Sequence, residues 1–139
     1  MLNTMKIIWL GLFFYPIVIV FVAFKVLTPA EVKESPLELI FQLLAIVLLI
    51  ASHVLPKLVN KRYEQLVKEK NTYATLKAYF SGYIISLAHS DAVIILGFVL
   101  VTQTHEPKKI LPFLLAGILN LLHFFPRRDK ILRTAKSIT

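Results

Sequence analysis

Four long apolar runs, each bordered by charged residues, account for most of this 139-residue chain. Each run is close to the roughly 20 residues that an α-helix needs to cross hydrocarbon about 30 Å thick. The pattern therefore predicts an all-α, polytopic membrane protein that forms a single domain over residues 1–139. The four predicted transmembrane helices cover about 7–27, 37–56, 80–104 and 110–126.

The composition supports the same class. The chain is 57% hydrophobic and has a mean hydropathy of +0.71, which is typical of an integral membrane protein. It contains no Cys, so disulfides, thiol chemistry and Cys-ligated metal ions are excluded. The first apolar run follows Lys6 as a secretory signal would, but it is too long and no small-residue cleavage site follows it. We interpret it as an uncleaved anchor.

The basic residues are distributed unevenly between the two predicted sides of the membrane. Of the 16 Lys and Arg residues, only Lys25, Lys33, Lys108 and Lys109 fall on the side of the first and third loops. Because basic segments stay in the cytoplasm during insertion, both termini and the second loop are predicted to be cytoplasmic. Four spans also require both termini on one side. The predicted location is the bacterial inner membrane.

The positive charge also predicts partners. We expect the cytoplasmic face to bind anionic lipid headgroups, with Arg127, Arg128 and Lys130 directly after the last helix. Nucleic acid is not an expected partner, because the basic residues already serve as the topology signal.

Apolar residues also recur in the second loop, about residues 57–79, at near-helical spacing among Lys and Glu. This spacing indicates an amphipathic hairpin that extends the second and third helices into the cytoplasm. A solvated charged loop is the alternative.

The third helix carries small residues along one face. Ala78, Gly82, Ser86 and Ser90 recur at every fourth position and form what we call the small-residue ridge. Such ridges let helices approach closely in lipid, where association depends on packing and polar contacts. We expect either another helix of the same chain or a neighbouring protomer to pack there.

One acidic residue, Asp91, lies within the third apolar run. At about 1.5 Å per residue, Asp91 lies about 22 Å inward from Glu106, and His123 about 21 Å from Lys109. Counting from the same outer boundary brings His53 and Trp9 to this level. Because Trp prefers the membrane interface, the level is expected in the cytoplasmic third of the bilayer.

Three interpretations of this polar layer remain open. Asp91 forms a structural bond with His53 or His123, as polar residues in helix bundles usually satisfy one another. Alternatively, Asp91 is a proton or ion site, because intramembrane carboxylates mark such pathways. A metal site from Asp91 and the two His residues is disfavoured, since no single helix carries a ligand pair at i, i+3 or i, i+4. Hydration of Asp91 at the interface, with no specific partner, is the remaining interpretation. We predict no metal and no cofactor.

The stretch from Leu87 to Leu100, LAHSDAVIILGFVL, resembles the carboxylate helix of rotary ATPase proteolipid c subunits. The chain also resembles uncharacterised small four-helix bacterial membrane proteins that end in an apolar helix and Pro-Arg, here Phe125-Pro126-Arg127. Proteolipids also have a glycine-rich inner helix, which a chain with 4 Gly residues lacks. The resemblance therefore implies lateral assembly into a ring or bundle rather than ion translocation.

Enzyme signatures are missing from the sequence. Ser81, Ser86 and Ser90 have no base with an orienting acid on a shared face, and no phosphate-binding loop or HExxH motif occurs. The sequence thus predicts a non-enzymatic membrane protein that self-assembles and has a structural or lipid-organising role. The alternative is a proton or ion channel or transport subunit that uses Asp91. A subunit of a larger membrane complex is a third interpretation.

Overall fold

The computed structural model describes residues 2–25, 35–68 and 72–126, with side chains at 60–68 and 72 excluded. These residues form four α-helices and no strand, which confirms the all-α class. The helices are α1 (Leu2–Lys25), α2 (Leu37–Lys68), α3 (Thr72–Thr104) and α4 (Leu111–His123), and a 3-10 turn (Pro107–Ile110) leads directly into α4.

Three helices are long and apolar enough to cross a membrane. The qualifying segments are Leu2–Lys25, Leu37–Val59 and Tyr73–Thr104. The fourth helix has only 13 residues. It ends at His123, before the predicted boundary at 126, because Pro126 disfavours helical backbone at the residue before it.

The helices also run past several of the predicted span boundaries. Lys6 lies inside α1, and α2 continues through Pro56 to Lys68. A charged residue need not end a helix, since Lys is a good helix former. The charged borders therefore do not locate the helix ends.

The third helix is the centre of the molecule. It packs against α1, α2, α4 and the 3-10 turn, and its contact with α2 is the most extensive in the described part of the chain. One core cluster joins α1 to α3 and α4, with Met5, Leu87, Ile94 and Leu121 fully buried. A second cluster joins α2 to α3 and α4 around Ala45, Val93, Leu100 and Phe113. Each cluster lies on one side of α3, so the helix is buried from both sides.

Close approach of α4 to α3 depends on two glycines. A Cβ added to Gly97 of α3 would lie 2.6 Å from Phe113 Cβ. A Cβ added to Gly117 of α4 would collide with the Ile94 side chain and lie 3.0 Å from the Ser90 carbonyl oxygen. The glycines therefore set the spacing between these two helices, as small residues do in membrane bundles.

At one end of the molecule an ion pair joins α2 to the turn between α3 and α4. Lys109 Nζ lies 2.7 Å from Glu38 Oε2 and 3.5 Å from Glu106 Oε2. The hydrogen bond to Glu38 and the two negative charges raise the pKa of Lys109. The charged borders that were used to measure depth along α2, α3 and α4 therefore lie together in space.

Candidate functional site

Asn120 of α4 is the centre of a buried polar cluster that joins three helices. Its Nδ2 group donates one hydrogen bond to Ser52 Oγ of α2 at 3.0 Å and another to Ser90 Oγ of α3 at 2.8 Å. All three side chains are buried. Both amide hydrogens of Asn120 are thus used between helices.

The hydroxyl groups of Ser52 and Ser90 donate to backbone carbonyls of their own helices and accept from Asn120. Ser52 Oγ donates to the Leu49 carbonyl at 2.7 Å, and Ser90 Oγ donates to the Ser86 carbonyl at 3.0 Å. Because each hydroxyl hydrogen points to a backbone carbonyl, each oxygen is free to accept from Asn120. Ser52 and Ser90 donate within their helices and accept between them.

Within the small-residue ridge, Gly82 and Ser86 lie against α2 of the same chain, and Ser90 contacts Asn120 of α4. A Cβ on Gly82 would lie 3.5 Å from Pro56 Cβ, an ordinary contact distance. Ser86 Oγ donates to the Ser52 carbonyl at 2.9 Å, with the Gly82 carbonyl at 3.1 Å as a second acceptor. Ala78 is half-buried at the end of the ridge. Of the two partners expected from the sequence, the helix of the same chain occupies the ridge.

His53 and His123 approach each other beside this cluster. Their ring centroids are 5.2 Å apart, and the Phe124 ring lies 5.1 Å from the first and 5.2 Å from the second. Both imidazoles are exposed. His53 Nδ1 lies 3.0 Å from the Leu49 carbonyl oxygen and 2.9 Å from Ser52 Oγ, so this ring is joined to the polar cluster.

Asp91 is not bonded to either histidine in the described part of the chain. Its side chain is half-buried, and Oδ1 is enclosed without a hydrogen-bond partner among the described residues. The reason is rotational, because Asp91 lies about 100° round α3 from Ser90, which faces α2 and α4. The expected Asp91–His bond is therefore absent between these described residues.

Trp9 joins α1 to the same level. Its Nε1 donates to the Leu121 carbonyl of α4 at 2.8 Å, and its ring stacks on Phe13 at 4.7 Å. Leu121 lies in the last turn of α4, where backbone carbonyls have no helical partner. The level inferred from depth counting thus contains Trp9, both histidines and the end of α4.

Asn120 and Ser52 were not recognised as site residues from the sequence. The available signal was a single amide inside the apolar run of α4 and a Ser directly before His53. Polar side chains inside apolar helices usually bond across helices. The depth count that was applied to His123 would have brought Asn120 one turn away into the same layer.

Arg127, Arg128 and Lys130 lie outside the described residues. No group of three or more His, Asp or Glu side chains suited to a metal ion occurs in the ranges that the structure describes. His89, on α3, places Nδ1 2.7 Å from its own Ile85 carbonyl.

No protein-family model matches the chain, and comparisons with curated proteins and with solved structures find no significant match.

Proposed function

We propose that the protein is a non-enzymatic, structural component of the bacterial inner membrane that spans it four times and assembles with copies of itself. The observation that carries this proposal is the polar cluster of Asn120, Ser52, Ser90 and Ser86. Its hydroxyl and amide hydrogens are all directed at other groups of the protein. The polar groups of this cluster serve helix packing and offer no free donor to a substrate.

The fourth span is proposed for α4 together with the apolar residues that flank it. Helix α4 has 13 residues and, at about 1.5 Å per residue, extends about 20 Å. Ile110 before it and Phe124 and Phe125 after it lengthen the apolar segment toward the roughly 30 Å of the hydrocarbon. With four spans, the excess of Lys and Arg favours cytoplasmic termini. The Glu38–Lys109 pair then lies at the side of the membrane opposite the cytoplasm.

Self-assembly is supported by the surface of α2. Only 11% of its most apolar window is buried, against 44% for α3. Gln42 interrupts this exposed apolar face, and its amide has no hydrogen-bond partner among the described residues. Gln side chains in apolar helices gain by bonding to a neighbouring helix. The proposed contact between copies is therefore the α2 face that carries Gln42, and the small-residue ridge is not part of it.

Native mass spectrometry from lipid nanodiscs tests the assembly. The wild type should give a defined oligomer, and Gln42→Leu should shift it toward monomer. Gln103→Leu is the matched control, because Gln103 is also an exposed amide but lies near the end of α3. A wild type that is only monomeric would refute self-assembly. Equal oligomer fractions in the two variants would refute the α2 contact.

The lipid-organising role rests on the basic residues. Each Lys or Arg close to an anionic surface contributes about 1 kcal/mol of attraction. Charge reversal at Arg127, Arg128 and Lys130 should reduce the number of anionic lipids that remain bound during native mass spectrometry. An unchanged count would remove these three residues from the proposal.

Proton or ion transport through Asp91 is the second candidate, and the enclosed Oδ1 without a partner favours it. It predicts a proton flux in liposomes that Asp91→Asn abolishes while assembly stays intact. Absence of flux in the wild type would eliminate it. Under the structural proposal, the same substitution changes stability or oligomer size only. An accessory subunit of a larger complex would instead co-purify with unrelated membrane proteins.

A further inference from the structure

Two imidazoles from different helices meet at the level of the polar cluster. His53 belongs to α2 and His123 ends α4, and their ring centroids are 5.2 Å apart with a 41° angle between the planes. The two helices have few other contacts in the described part of the chain. Both rings are exposed at the surface of the described molecule and are not enclosed by other side chains.

The neighbours of His53 indicate which tautomer the neutral ring adopts. A carbonyl oxygen can only accept, so the contact of His53 Nδ1 with the Leu49 carbonyl at 3.0 Å requires a hydrogen on Nδ1. Ser52 Oγ, which donates its own hydrogen to Leu49, accepts from the same ring nitrogen. In the neutral ring Nε2 then carries the free lone pair. Metal-binding histidines typically have this arrangement, with the second nitrogen donating to a carbonyl.

The separation of the rings suits a shared ion. With Zn–N bonds of about 2.0–2.1 Å and tetrahedral angles, two imidazoles on one Zn²⁺ have centroids about 5–5.5 Å apart. The observed 5.2 Å lies within this range. Imidazole selects Zn²⁺, Cu²⁺ and Ni²⁺ over Mg²⁺ and Ca²⁺, which prefer oxygen.

We propose that His53 and His123 form a binding site for a divalent transition-metal ion, with Zn²⁺ as the reference ion, that links α2 to α4. Water or an anionic headgroup completes the coordination, because the described residues supply two ligands and no third. A metal site was disfavoured from the sequence because no single helix carries two ligands at i, i+3 or i, i+4. In the structure the two ligands come from different helices.

The test is Zn²⁺ titration of tag-free protein in lipid nanodiscs, followed by calorimetry. We expect one saturable site per chain and a higher unfolding temperature with Zn²⁺, since a ligand of the native state stabilises it. His53→Ala and His123→Ala should each weaken binding about 10–100-fold or more. Mg²⁺ should not compete.

The matched control is His89→Ala. His89 also bonds a carbonyl of its own helix through Nδ1, but no second histidine ring lies against it in the described part of the chain. This variant should bind Zn²⁺ as the wild type does. Equal loss in all three variants, or equal retention, would overturn the proposal, as would the absence of saturable binding.

A second measurement does not depend on the folding of any variant. Cu²⁺ bound to the wild type should show two imidazole nitrogens by pulsed electron paramagnetic resonance. A single imidazole, or oxygen ligands alone, would contradict a site shared between α2 and α4.

Discussion

Trp9 of α1 and Leu121 of α4 are joined by a hydrogen bond of 2.8 Å across 112 positions of sequence. The bond supplies a partner for a carbonyl in the last turn of α4, in surroundings where Leu121 is fully buried. It also determines which face of α1 meets the rest of the bundle, because the indole has one donor only.

Trp9→Phe should lower the free energy of unfolding by about 1–3 kcal/mol, the cost of leaving a buried acceptor unpaired. Steric trapping in bicelles measures this quantity. Tyr15→Phe is the control, since Tyr15 is an exposed aromatic residue on the same helix. A loss of equal size in the control would show that α1 responds to any aromatic change.

Gly117→Ala should destabilise the protein by about 1–3 kcal/mol, because the new methyl group collides with Ile94. Combining it with Ile94→Val should recover part of the loss by making room on α3. Gly11→Ala should cause no loss, since nothing lies within 4 Å of a Cβ at that position. Equal effects at Gly11 and Gly117 would show that backbone entropy, and not contact with Ile94, governs both.

Asn120→Leu should cost about 0.5–2 kcal/mol, because Ser52 Oγ and Ser90 Oγ lose their interhelical donor. The triple variant with Ser52→Ala and Ser90→Ala should be no less stable than Asn120→Leu alone. Removing all partners together leaves no unpaired polar group. Unfolding in mixed micelles compares the variants, and a triple variant equal to the sum of the single losses would refute the cluster as a unit.

The Glu38–Lys109 pair should give a pH-dependent contribution to stability. The pKa of Lys109 is raised in the folded protein, so the contribution is fully present below the ordinary lysine value of about 10.4 and is lost as pH rises through the folded value. Glu38→Gln should therefore reduce the unfolding temperature at pH 8 more than at a pH above the folded pKa of Lys109. A pH-independent difference would contradict a charge-based interaction.

The sequence was sufficient for the helical class and for bringing Trp9, His53 and His123 to one level along the helices. Depth depends only on the rise per residue and on charged borders, and Glu38 and Lys109 do meet at one end. The sequence was a poorer guide to which face of each helix points into the bundle. In lipid, both the packed and the lipid-facing sides are apolar, so the spacing of apolar residues does not identify the inner face of α4. Asn120 was missed for that reason.

The same limit explains why the surroundings of the Asp91 side chain could not be predicted. Its level could be counted, but its side chain points about 100° away from the ridge residue Ser90 that precedes it. The small-residue ridge was recognised as a packing surface because its members share one face at every fourth position. The sequence did not show that Ser52 and Pro56 of α2 pack against this ridge, because that contact depends on how the helices are arranged in space.

The central position of α3 has a consequence for synthesis of the chain. Helix α1 leaves the ribosome first, yet the surfaces it packs against belong to α3 and α4, which leave last. Helix α1 therefore has no packing partner until nearly the whole chain has been made. Its mean hydropathy of 2.6 is the highest among the candidate spans, so it is the one best able to remain in lipid without a partner helix. Helix α4, the last described helix to be synthesised, completes the packing of α1.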